Sequence, residues 1–524
     1  MKWKVLPKKS DDLVEQLLIN RGLTKKEDQE KFFNPTLSDY KNDLEIPGIE
    51  KAQKRILQAI NNNELIIIYG DYDVDGICGC AILYKSLASL GAKVLPYIPH
   101  REKEGYGLSK TGLEFAKTEG ASLVITVDNG IVALSQAEFA IELGLDLIIT
   151  DHHIPLDKKP DVFGIVHSTK MCGAAVAWCL IRTMIKSDLT HELLQFVAIA
   201  TVCDVMSLVG LNRAFLVAGL KVLNKTTNLG LLALINESAI ILGNLSSYEI
   251  GHILGPRLNA MGRLEHAIDS LRLLCTKDPI KAKRLAKLLS ETNSTRQIMT
   301  QTAIEQAKSL IDKTKKIHIL THTEWSQGII GLIAGRVAEE YYRPTIAISV
   351  GEEISKGSAR SIDGVNIVEV IRKCSDILID VGGHPGAAGF SIKTKHIEKF
   401  RRKIEEYVLD LPQINEQVLE IDAEININQI TKKLVDQLEK FAPFGFRNPR
   451  FVLKTQGEIS DIRTVGDGKH LKFKLNNIDA IAFGMGDLAD ILHNGQPVNL
   501  AFTPEIDTYN GYEKIQLKVK DIKF

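Results

Sequence analysis

Residues 65–80, LIIIYGDYDVDGICGC, join a short apolar run to three aspartates within five positions. The run Leu65–Tyr69 has the length and composition of a strand that is buried on both faces of a sheet. Asp71, Asp73 and Asp75 follow it directly, and burying that much like charge without a partner costs several kcal/mol. The stretch therefore predicts a core strand that delivers carboxylates to a site where another group offsets their repulsion.

Two later segments repeat the pattern of an apolar strand followed by polar residues. Ser122–Val127 (SLVITV) precedes DNG at 128–130, and Asp146–Thr150 (DLIIT) precedes DHH at 151–153. Helical segments such as Val132–Leu143 separate these strands. The alternation predicts βαβ units and a parallel sheet with helices on both faces.

The carboxyl ends of parallel strands meet at one edge of a sheet, where open α/β sheets bind their ligands. Five aspartates and two histidines should therefore meet there. Carboxylate oxygens and imidazole nitrogens suit Mn²⁺ or Mg²⁺, and the histidines favour Mn²⁺. Taken singly, an aspartate after a strand is often a helix N-cap, and DHH could be a turn. Three such strand ends together make a metal site the better interpretation.

Length and composition limit the class of protein. A chain of 524 residues is too long for one hydrophobic core, so we expect two to four domains. The formal net charge is zero, so a polyanion would have to bind to a local basic groove. The seven cysteines are scattered, and the N-terminus lacks an apolar signal core, so we expect a cytoplasmic protein without membrane association.

The pattern changes along the chain in a way that predicts an α/β protein of several domains. A long helical region is followed by a second α/β segment from Ile317, and short alternating strands after about residue 412 predict a small β-barrel. We therefore expect a parallel-sheet domain with an N-terminal extension (1–210), a helical connector (211–312), a smaller α/β domain (313–410) and a β-barrel (411–524).

The motifs DYDVDG, VDNG and DHH, in this order, resemble the signatures of the DHH phosphoesterase superfamily. GGHPGAAG (382–389) looks like the glycine-rich motif of its companion DHHA1 domain. GPRLNAMGRL (255–264) and Trp325–Gly331 narrow the resemblance to the RecJ family, which are bacterial exonucleases of single-stranded DNA. The resemblance covers most of the chain, and the predicted barrel fits the oligonucleotide-binding (OB) fold of that family.

The resemblance implies a set of site residues. The implied metal ligands are Asp73, Asp75, Asp128, His152 and Asp204. Asp71 and Asp151 would orient those ligands. Asp128, His153 and His384 would take part directly in catalysis. The implied substrate-binding residues are Arg257, Asn259, Ser358, Arg360, Ser361, Gly382, Gly383 and His384. Without the resemblance, Asp204 is an unremarkable loop residue, Arg257 a surface residue or salt-bridge partner, and GGHPGAAG a turn.

The implied chemistry uses two divalent ions, Mn²⁺ or Mg²⁺, about 4 Å apart. Asp128 would bridge them, and the ions would activate a shared water and offset charge on the phosphate. In GGHPGAAG, small residues would let the backbone approach the phosphodiester, and His384 would donate to a phosphate oxygen.

The expected function is therefore a metal-dependent 5′-to-3′ exonuclease that hydrolyses single-stranded DNA to 5′-mononucleotides in DNA repair and recombination. Polarity and product rest on the resemblance alone, as do a single-strand-binding protein as partner and a monomeric state. Two alternatives stay open: a DHH phosphodiesterase of oligoribonucleotides or cyclic dinucleotides, and a non-catalytic replication scaffold. Cys78, His167 and Ser326 depart from the family pattern, which bears on substrate positioning more than on metal binding.

Overall fold

The computed structural model describes residues 1–409, 416–507 and 512–524. By their contacts, the residues form two units. The α/β unit comprises Tyr40–Met206 and Phe215–Asn415, and the barrel unit comprises Met1–Asp39, Ser207–Ala214 and Glu416–Phe524. The chain begins in the barrel unit with β1 (Lys2–Val5), α1 (Leu13–Asn20) and α2 (Lys26–Phe33).

The first sheet of the α/β unit has five parallel strands in the order β3-β2-β4-β5-β6. They are β2 (Leu65–Gly70), β3 (Lys93–Tyr97), β4 (Ala121–Val127), β5 (Asp146–Asp151) and β6 (Gly164–His167). The three predicted strands occupy the centre, which confirms the parallel-sheet prediction. The sequence pattern did not show the two edge strands, because β3 contains Pro96 and is only half-buried, and β6 has four residues.

Helices cover both faces of this sheet. They are α3 (Ile49–Asn61), α4 (Val74–Ser89), α5 (Lys110–Thr118), α6 (Leu134–Glu142), α7 (Gly173–Ile181), α8 (Ser187–Glu192) and α9 (Leu194–Cys203). Leu113 of α5 and Ala137 of α6 pack with Ile67 and Ile149 in one core. Every residue from Val74 to Leu83 is buried, so α4 lies inside the unit rather than on its surface.

The predicted helical connector is observed as a succession of helices. They are α10 (Gly210–Leu223), α11 (Leu229–Glu237), α12 (Ser247–Glu249), α13 (Gly255–Leu264), α14 (Ile268–Cys275) and α15 (Pro279–Ser309). A π-helical turn, Ile250–Leu254, precedes α13. Across the described ranges, none of the helices has the length and apolar character needed to span a membrane.

The second sheet has the order β10-β11-β9-β8-β7, and only β7 and β8 run parallel. Its elements are β7 (His318–His322), α16 (Ile330–Tyr341), β8 (Thr345–Ser349), β9 (Ile354–Arg360), α17 (Ile367–Arg372), β10 (Leu378–His384), β11 (Ala387–Lys393) and α18 (Ile397–Leu409). The glycine-rich motif GGHPGAAG therefore forms the hairpin between β10 and β11.

The barrel unit confirms the predicted β-barrel. Its C-terminal elements are β12 (Val418–Ile421), β13 (Ala423–Glu424), α19 (Lys432–Glu439), β14 (Leu453–Val465), β15 (His470–Leu475), β16 (Ile478–Ala482), β17 (Pro497–Asp507) and β18 (Lys514–Lys523). The strands follow the order β14-β15-β16-β18-β17, and β17 pairs with β14 to close the barrel.

The N-terminal residues pack on this barrel. Leu17 and Phe32 share a hydrophobic core with Phe441 and Phe451, and β1 pairs in parallel with β12. Arg213 is fully buried, and its guanidinium donates to the backbone carbonyls of Phe32, Phe441, Ala442 and Pro443. Residues 1–39, which the sequence analysis assigned to the parallel-sheet domain, thus make their contacts within the barrel unit.

Candidate metal centre and active site

The parallel register of the first sheet brings three polar strand ends together. Gly70 lies beside Val127, and Val127 lies beside Thr150, so β2, β4 and β5 end at the same level. Asp71 and Asp128 come one residue after these ends, and Asp151 is the last residue of β5. The carboxylates therefore meet at one edge because the strands are parallel and aligned.

The turn between β2 and α4 adds the next carboxylates. Asp73 is the N-cap of α4, and its Oδ1 accepts from the backbone N–H of Asp75 at 2.9 Å and of Gly76 at 3.1 Å. A Cβ at position 76 would lie 2.6 Å from the backbone of Asp71, so only glycine allows the chain to fold back so tightly. The alternative interpretation of an N-cap therefore holds for Asp73, together with its place in the acidic cluster.

Asp75 is held by the first residues of α7. Its two carboxylate oxygens accept from the backbone N–H groups of Gly173 at 2.6 Å and Ala174 at 2.7 Å. These N–H groups have no partner inside their own helix, and the helix dipole favours negative charge there. A Cβ on Gly173 would meet Asp128 at 2.7 Å, so glycine is required for α7 to approach the cluster.

Asp128 adopts a left-handed backbone conformation, with φ of 64°. Its backbone carbonyl accepts from the Tyr106 hydroxyl at 3.0 Å, and its Oδ1 lies 3.0 Å from Nε2 of His152. The same nitrogen lies 3.6 Å from Oδ2 of Asp75 and 3.7 Å from Oδ2 of Asp204. His152 therefore stands between three carboxylates from three different elements.

The electrostatics of this cluster favour either protonation of its carboxyl groups or binding of a cation. Burial, reinforced by the neighbouring carboxylates, raises the pKa of Asp71 and Asp128 well above the ordinary range and also raises the pKa of Asp75. Burial and repulsion by Asp75 and Asp73 raise the pKa of Asp204 to about 8. Oδ1 of Asp71, Oδ1 of Asp128 and Nε2 of His152 are buried and lack a hydrogen-bond partner among the described residues. Such orphaned ligand atoms fit divalent cations.

Within the described ranges, three overlapping groups have ligand atoms within 4.8 Å of one another. These groups are Asp71–Asp73–Asp128, Asp75–His152–Asp204 and Asp128–His152–His153. Together they contain all five implied ligands. They also contain Asp71 and His153, to which the resemblance gave supporting and substrate-contacting roles. Taken together, five carboxylates and two imidazoles form an oxygen-rich set that suits Mn²⁺ and Mg²⁺.

Asp151 organises the DHH segment. Its Oδ2 accepts from the Ile131 N–H at 2.9 Å, and its Oδ1 accepts from the backbone N–H of His152 at 2.7 Å and of His153 at 3.1 Å. Nδ1 of His153 lies 2.8 Å from the same oxygen. Burial alone would raise the pKa of Asp151, but the hydrogen bonds and charge of His153 lower it, so this carboxylate stays ionised. That geometry is what an orienting residue requires.

Some of the implied substrate-binding residues interact with residues beside the acidic cluster, and the others have different contacts. Asn259 Oδ1 accepts from the N–H of Val74, at the start of α4. The positive charge of Arg360 contributes to lowering the pKa of Arg263. Arg257 instead contacts Ser290 and the carbonyl of Ile253.

The hairpin residues Gly382, Gly383 and His384 are exposed. Near them, the Ser361 hydroxyl donates to the carbonyl of Val365, and the Ser358 hydroxyl accepts from Arg360. Among the described residues, no hydrogen bond or ion pair joins His384 to the acidic cluster.

Four residues near the acidic cluster were not predicted from the sequence: Arg101, Tyr106, Arg263 and Arg296. Burial, together with the positive charges of Arg101, Arg296 and Arg360, lowers the pKa of Arg263 to about 10. These four guanidinium groups come from four separate segments, so local patterns could not join them. Tyr106 lies in the loop after β3, between Gly105 and Gly107 with φ of 85° and 77°. That glycine pair was the one available signal for a structured loop.

Comparison with known proteins agrees with the fold. Family models match residues 65–201 (DHH family, N-terminal domain), 314–410 (DHHA1 domain) and 421–521 (RecJ OB domain). The single-stranded-DNA-specific exonuclease RecJ of Bacillus subtilis is 35% identical over 97% of this chain and 67% of its own length.

Two crystal structures of RecJ from Thermus thermophilus also match. The complex with Mn²⁺ has a TM-score of 0.88 and 27% identity, over 100% of this chain and 79% of that chain. The complex with Mg²⁺ has a TM-score of 0.81 and 26% identity, over 100% and 78%. With all three domain models matched in order, this chain belongs to the RecJ family of single-stranded-DNA-specific exonucleases.

Proposed function

We propose that this protein is a divalent-metal-dependent exonuclease that hydrolyses single-stranded DNA in the 5′-to-3′ direction, releases 5′-mononucleotides and serves DNA repair and recombination. The observation that carries the proposal is the buried cluster of aspartates and histidines at the edge of the first sheet. Its orphaned ligand atoms and mutually repelling carboxylates fit divalent cations. A scaffold without catalysis would gain nothing from that cost.

Two of the ligand groups cover the cluster between them. Asp75, His152 and Asp204 would hold one ion, and Asp71, Asp73 and Asp128 would hold a second. Bound Mn²⁺ or Mg²⁺ supplies Lewis-acid stabilisation of charge on the phosphate and lowers the pKa of a bound water. The protein itself contributes fixed ligand positions, since α7 holds Asp75 and α4 holds Asp73.

His153 is our candidate for electrostatic stabilisation of the scissile phosphate. Burial alone would lower the pKa of His153, but the hydrogen bond and charge of Asp151 raise it, which favours the protonated ring. Nδ1 of His153 lies 3.8 Å from Oδ1 of Asp128 and Nε2 lies 3.0 Å from the Tyr106 hydroxyl. A cationic imidazole beside the acidic cluster can offset the charge that develops on phosphate oxygens.

Attack at a strand end requires recognition of that end. The cluster of Arg101, Arg263, Arg296 and Arg360 concentrates positive charge near Asp73. A terminal phosphate carries up to two negative charges and three acceptor oxygens, whereas an internal phosphodiester carries one charge. Arginines bind such groups with paired hydrogen bonds. We infer that this cluster holds the 5′-terminal phosphate and thereby sets the polarity.

The barrel offers a second surface for single-stranded DNA. Arg463, Lys472, Ile481 and Lys518 stand side by side on four neighbouring strands. The Phe483 side chain beside Lys518 is 51% exposed. Cations that follow a phosphate backbone, with an aromatic ring on which a base can stack, are the usual means by which OB folds bind single strands.

The proposal extends to partner, oligomeric state and compartment. We propose a single-strand-binding protein as partner, since the substrate strand is covered by such proteins in cells, and a monomer as the active form. We also place the protein in the cytoplasm. In support of that compartment, all seven cysteines are free thiols.

The test is hydrolysis of oligonucleotides labelled at either end, with Mn²⁺, with Mg²⁺ and with EDTA. We expect a 5′ label to appear at once as a mononucleotide, and a 3′ label to move gradually to shorter fragments. Duplex DNA and a diribonucleotide serve as comparison substrates. Faster hydrolysis of the dinucleotide, release of the 3′ label first, or undiminished cleavage in EDTA would each contradict the proposal.

A further inference from the structure

His153 makes a polar contact at each of its four polar atoms. Its backbone N–H and its Nδ1 meet Oδ1 of Asp151 at 3.1 and 2.8 Å, and its Nε2 lies 3.0 Å from the Tyr106 hydroxyl. Its backbone carbonyl accepts from Nε2 of His167 at 2.7 Å. Three residues from three segments therefore fix both the ring and the backbone of this one histidine.

His167 stands at the end of β6, the edge strand of the first sheet. In the parallel register of β5 and β6 it lies opposite Asp151. His153 lies two residues beyond β5, so the sheet does not hold its carbonyl. The chain then enters an irregular loop in which Ile154 is 67% and Leu156 is 51% exposed. Within the described chain, the hydrogen bond from His167 is the one that this carbonyl accepts.

The direction of this hydrogen bond is determined by its acceptor. A carbonyl oxygen can only accept, so Nε2 of His167 must carry the proton, and Nδ1 plays no part in the contact. The contact therefore depends on a donor at the end of the side chain and not on charge. Glutamine can place an N–H at a similar distance from the backbone, whereas methionine has the same length and no donor.

Losing the bond would free the peptide between His153 and Ile154 to rotate. The ring is attached to the same residue, so rotation would disturb its contact with Tyr106 and its position 3.8 Å from Oδ1 of Asp128. We propose that His167 is a positioning residue for the reaction: it holds the His153 backbone so that the imidazole faces the reacting phosphate. The inference rests on the proposed exonuclease function.

The experiment compares His167→Met with His167→Gln in the full-length protein. We expect His167→Met to lower the single-turnover rate on 5′-labelled single-stranded DNA about tenfold. That is the effect of losing one hydrogen bond that positions the His153 ring. His167→Gln should recover most of the rate. Mn²⁺ affinity, measured by calorimetry, and melting temperature should stay the same in both variants, because His167 contacts no proposed metal ligand.

Each other outcome overturns the inference. Equal rates in wild type and His167→Met would show that the bond is not needed. Equally low rates in the Met and Gln variants would show that the ring, not its N–H, matters. A parallel loss of Mn²⁺ affinity would assign His167 to the metal centre. Should His167→Met melt early, His167→Ala replaces it in the same comparison. Failure of the wild type itself to degrade single-stranded DNA would instead count against the proposed function.

Discussion

Nε2 of His152 lies 3.0 Å from Oδ1 of Asp128, yet neither atom has a hydrogen-bond partner among the described residues. The two residues directly follow the ends of neighbouring parallel strands, so the sheet brings them together. The fold thus holds two ligand atoms together although their burial is costly. A site of this kind is prepared to bind a cation without rearrangement.

Replacing Asp128 by asparagine should abolish most of the activity. The substitution keeps the size of the side chain but removes charge from a ligand shared by two of the three groups. We expect the single-turnover rate in saturating Mn²⁺ to fall at least about a hundredfold, since metal ions supply several kcal/mol of transition-state stabilisation. Relief of repulsion should leave the melting temperature in EDTA unchanged or higher.

The control for this variant is Asp188→Asn, which alters an exposed aspartate at the start of α8. Its rate and melting temperature should equal those of the wild type. If Asp128→Asn retains more than about a tenth of wild-type activity, the lost transition-state stabilisation is less than about 1.4 kcal/mol. That result would show that Asp128 is not needed for the reaction.

Metal-free protein should lose stability as pH rises. Burial raises the pKa of Asp204 to about 8 in the native state, whereas an unfolded aspartate titrates near 3.9. Between about pH 4 and pH 8 the native state therefore binds more protons than the unfolded state, and the free energy of unfolding falls with increasing pH. Mn²⁺ should offset this loss, so the Mn²⁺-induced rise in melting temperature should be larger at pH 8 than at pH 6.

Scanning calorimetry in EDTA and in Mn²⁺ at both pH values checks this prediction. The difference between the two metal conditions isolates the cluster from other titrating groups. Asp204→Asn should show a smaller pH dependence of the Mn²⁺ effect. A larger Mn²⁺-induced shift at pH 6 would be inconsistent with raised carboxyl pKa values.

Arg360→Gln should weaken recognition of the strand end. The arginine lies in the cluster that surrounds Arg263, and glutamine keeps hydrogen-bonding capacity without charge. We expect the preference for a 5′-phosphate over a 5′-hydroxyl end to fall about tenfold or more, because charged hydrogen bonds to phosphate are lost. Arg336→Gln, which removes an exposed arginine on α16, is the matched control. An unchanged end preference in Arg360→Gln would show that the arginine cluster does not recognise the strand end.

His384→Ala tests whether the hairpin of the second sheet takes part in catalysis. His384 is exposed at the hairpin tip, where removal of its side chain should cost little stability. If it donates to the reacting phosphate, turnover should fall about 10²- to 10³-fold with Mn²⁺ affinity unchanged, since every proposed ligand lies before residue 205. His396→Ala, in the same half, is the control. Near-normal turnover at a normal melting temperature would rule out a catalytic hairpin.

The barrel surface can be tested without deleting the barrel. Deletion near residue 410 would expose the buried faces of Leu17 and Phe32, which pack in the barrel core. The double variant Arg463→Ala/Lys472→Ala should instead bind long single strands more weakly. Its plot of log affinity against log salt should be shallower by about 1.4, or about 0.7 for each lost phosphate contact. Lys433→Ala on α19 should leave both values unchanged. An unaltered slope in the double variant would show that Arg463 and Lys472 do not contact the DNA backbone.

Local sequence patterns predict much of the architecture. Apolar runs such as Leu65–Tyr69 are long enough only for buried strands, and turn residues and helical periodicity bound them, so the parallel sheet follows from short-range physics. The placement of Asp71, Asp128 and Asp151 after three such strands predicts that they meet, because parallel strands end at one edge. The alternating pattern near the C-terminus likewise predicted a barrel.

The tertiary structure alone decided which distant groups meet. Asp75 is held by Gly173 and Ala174, nearly a hundred residues later, and no periodicity encodes that pairing. The same holds for the buried contacts of residues 1–39 with the barrel. The arginines around Arg263 lie on separate segments, and His167 reaches His153 only because β6 pairs with β5. Residue type and spacing thus determined which candidate ligands the chain carries, whereas packing between elements determined their partners, since those contacts exist only once the chain has closed over long distances.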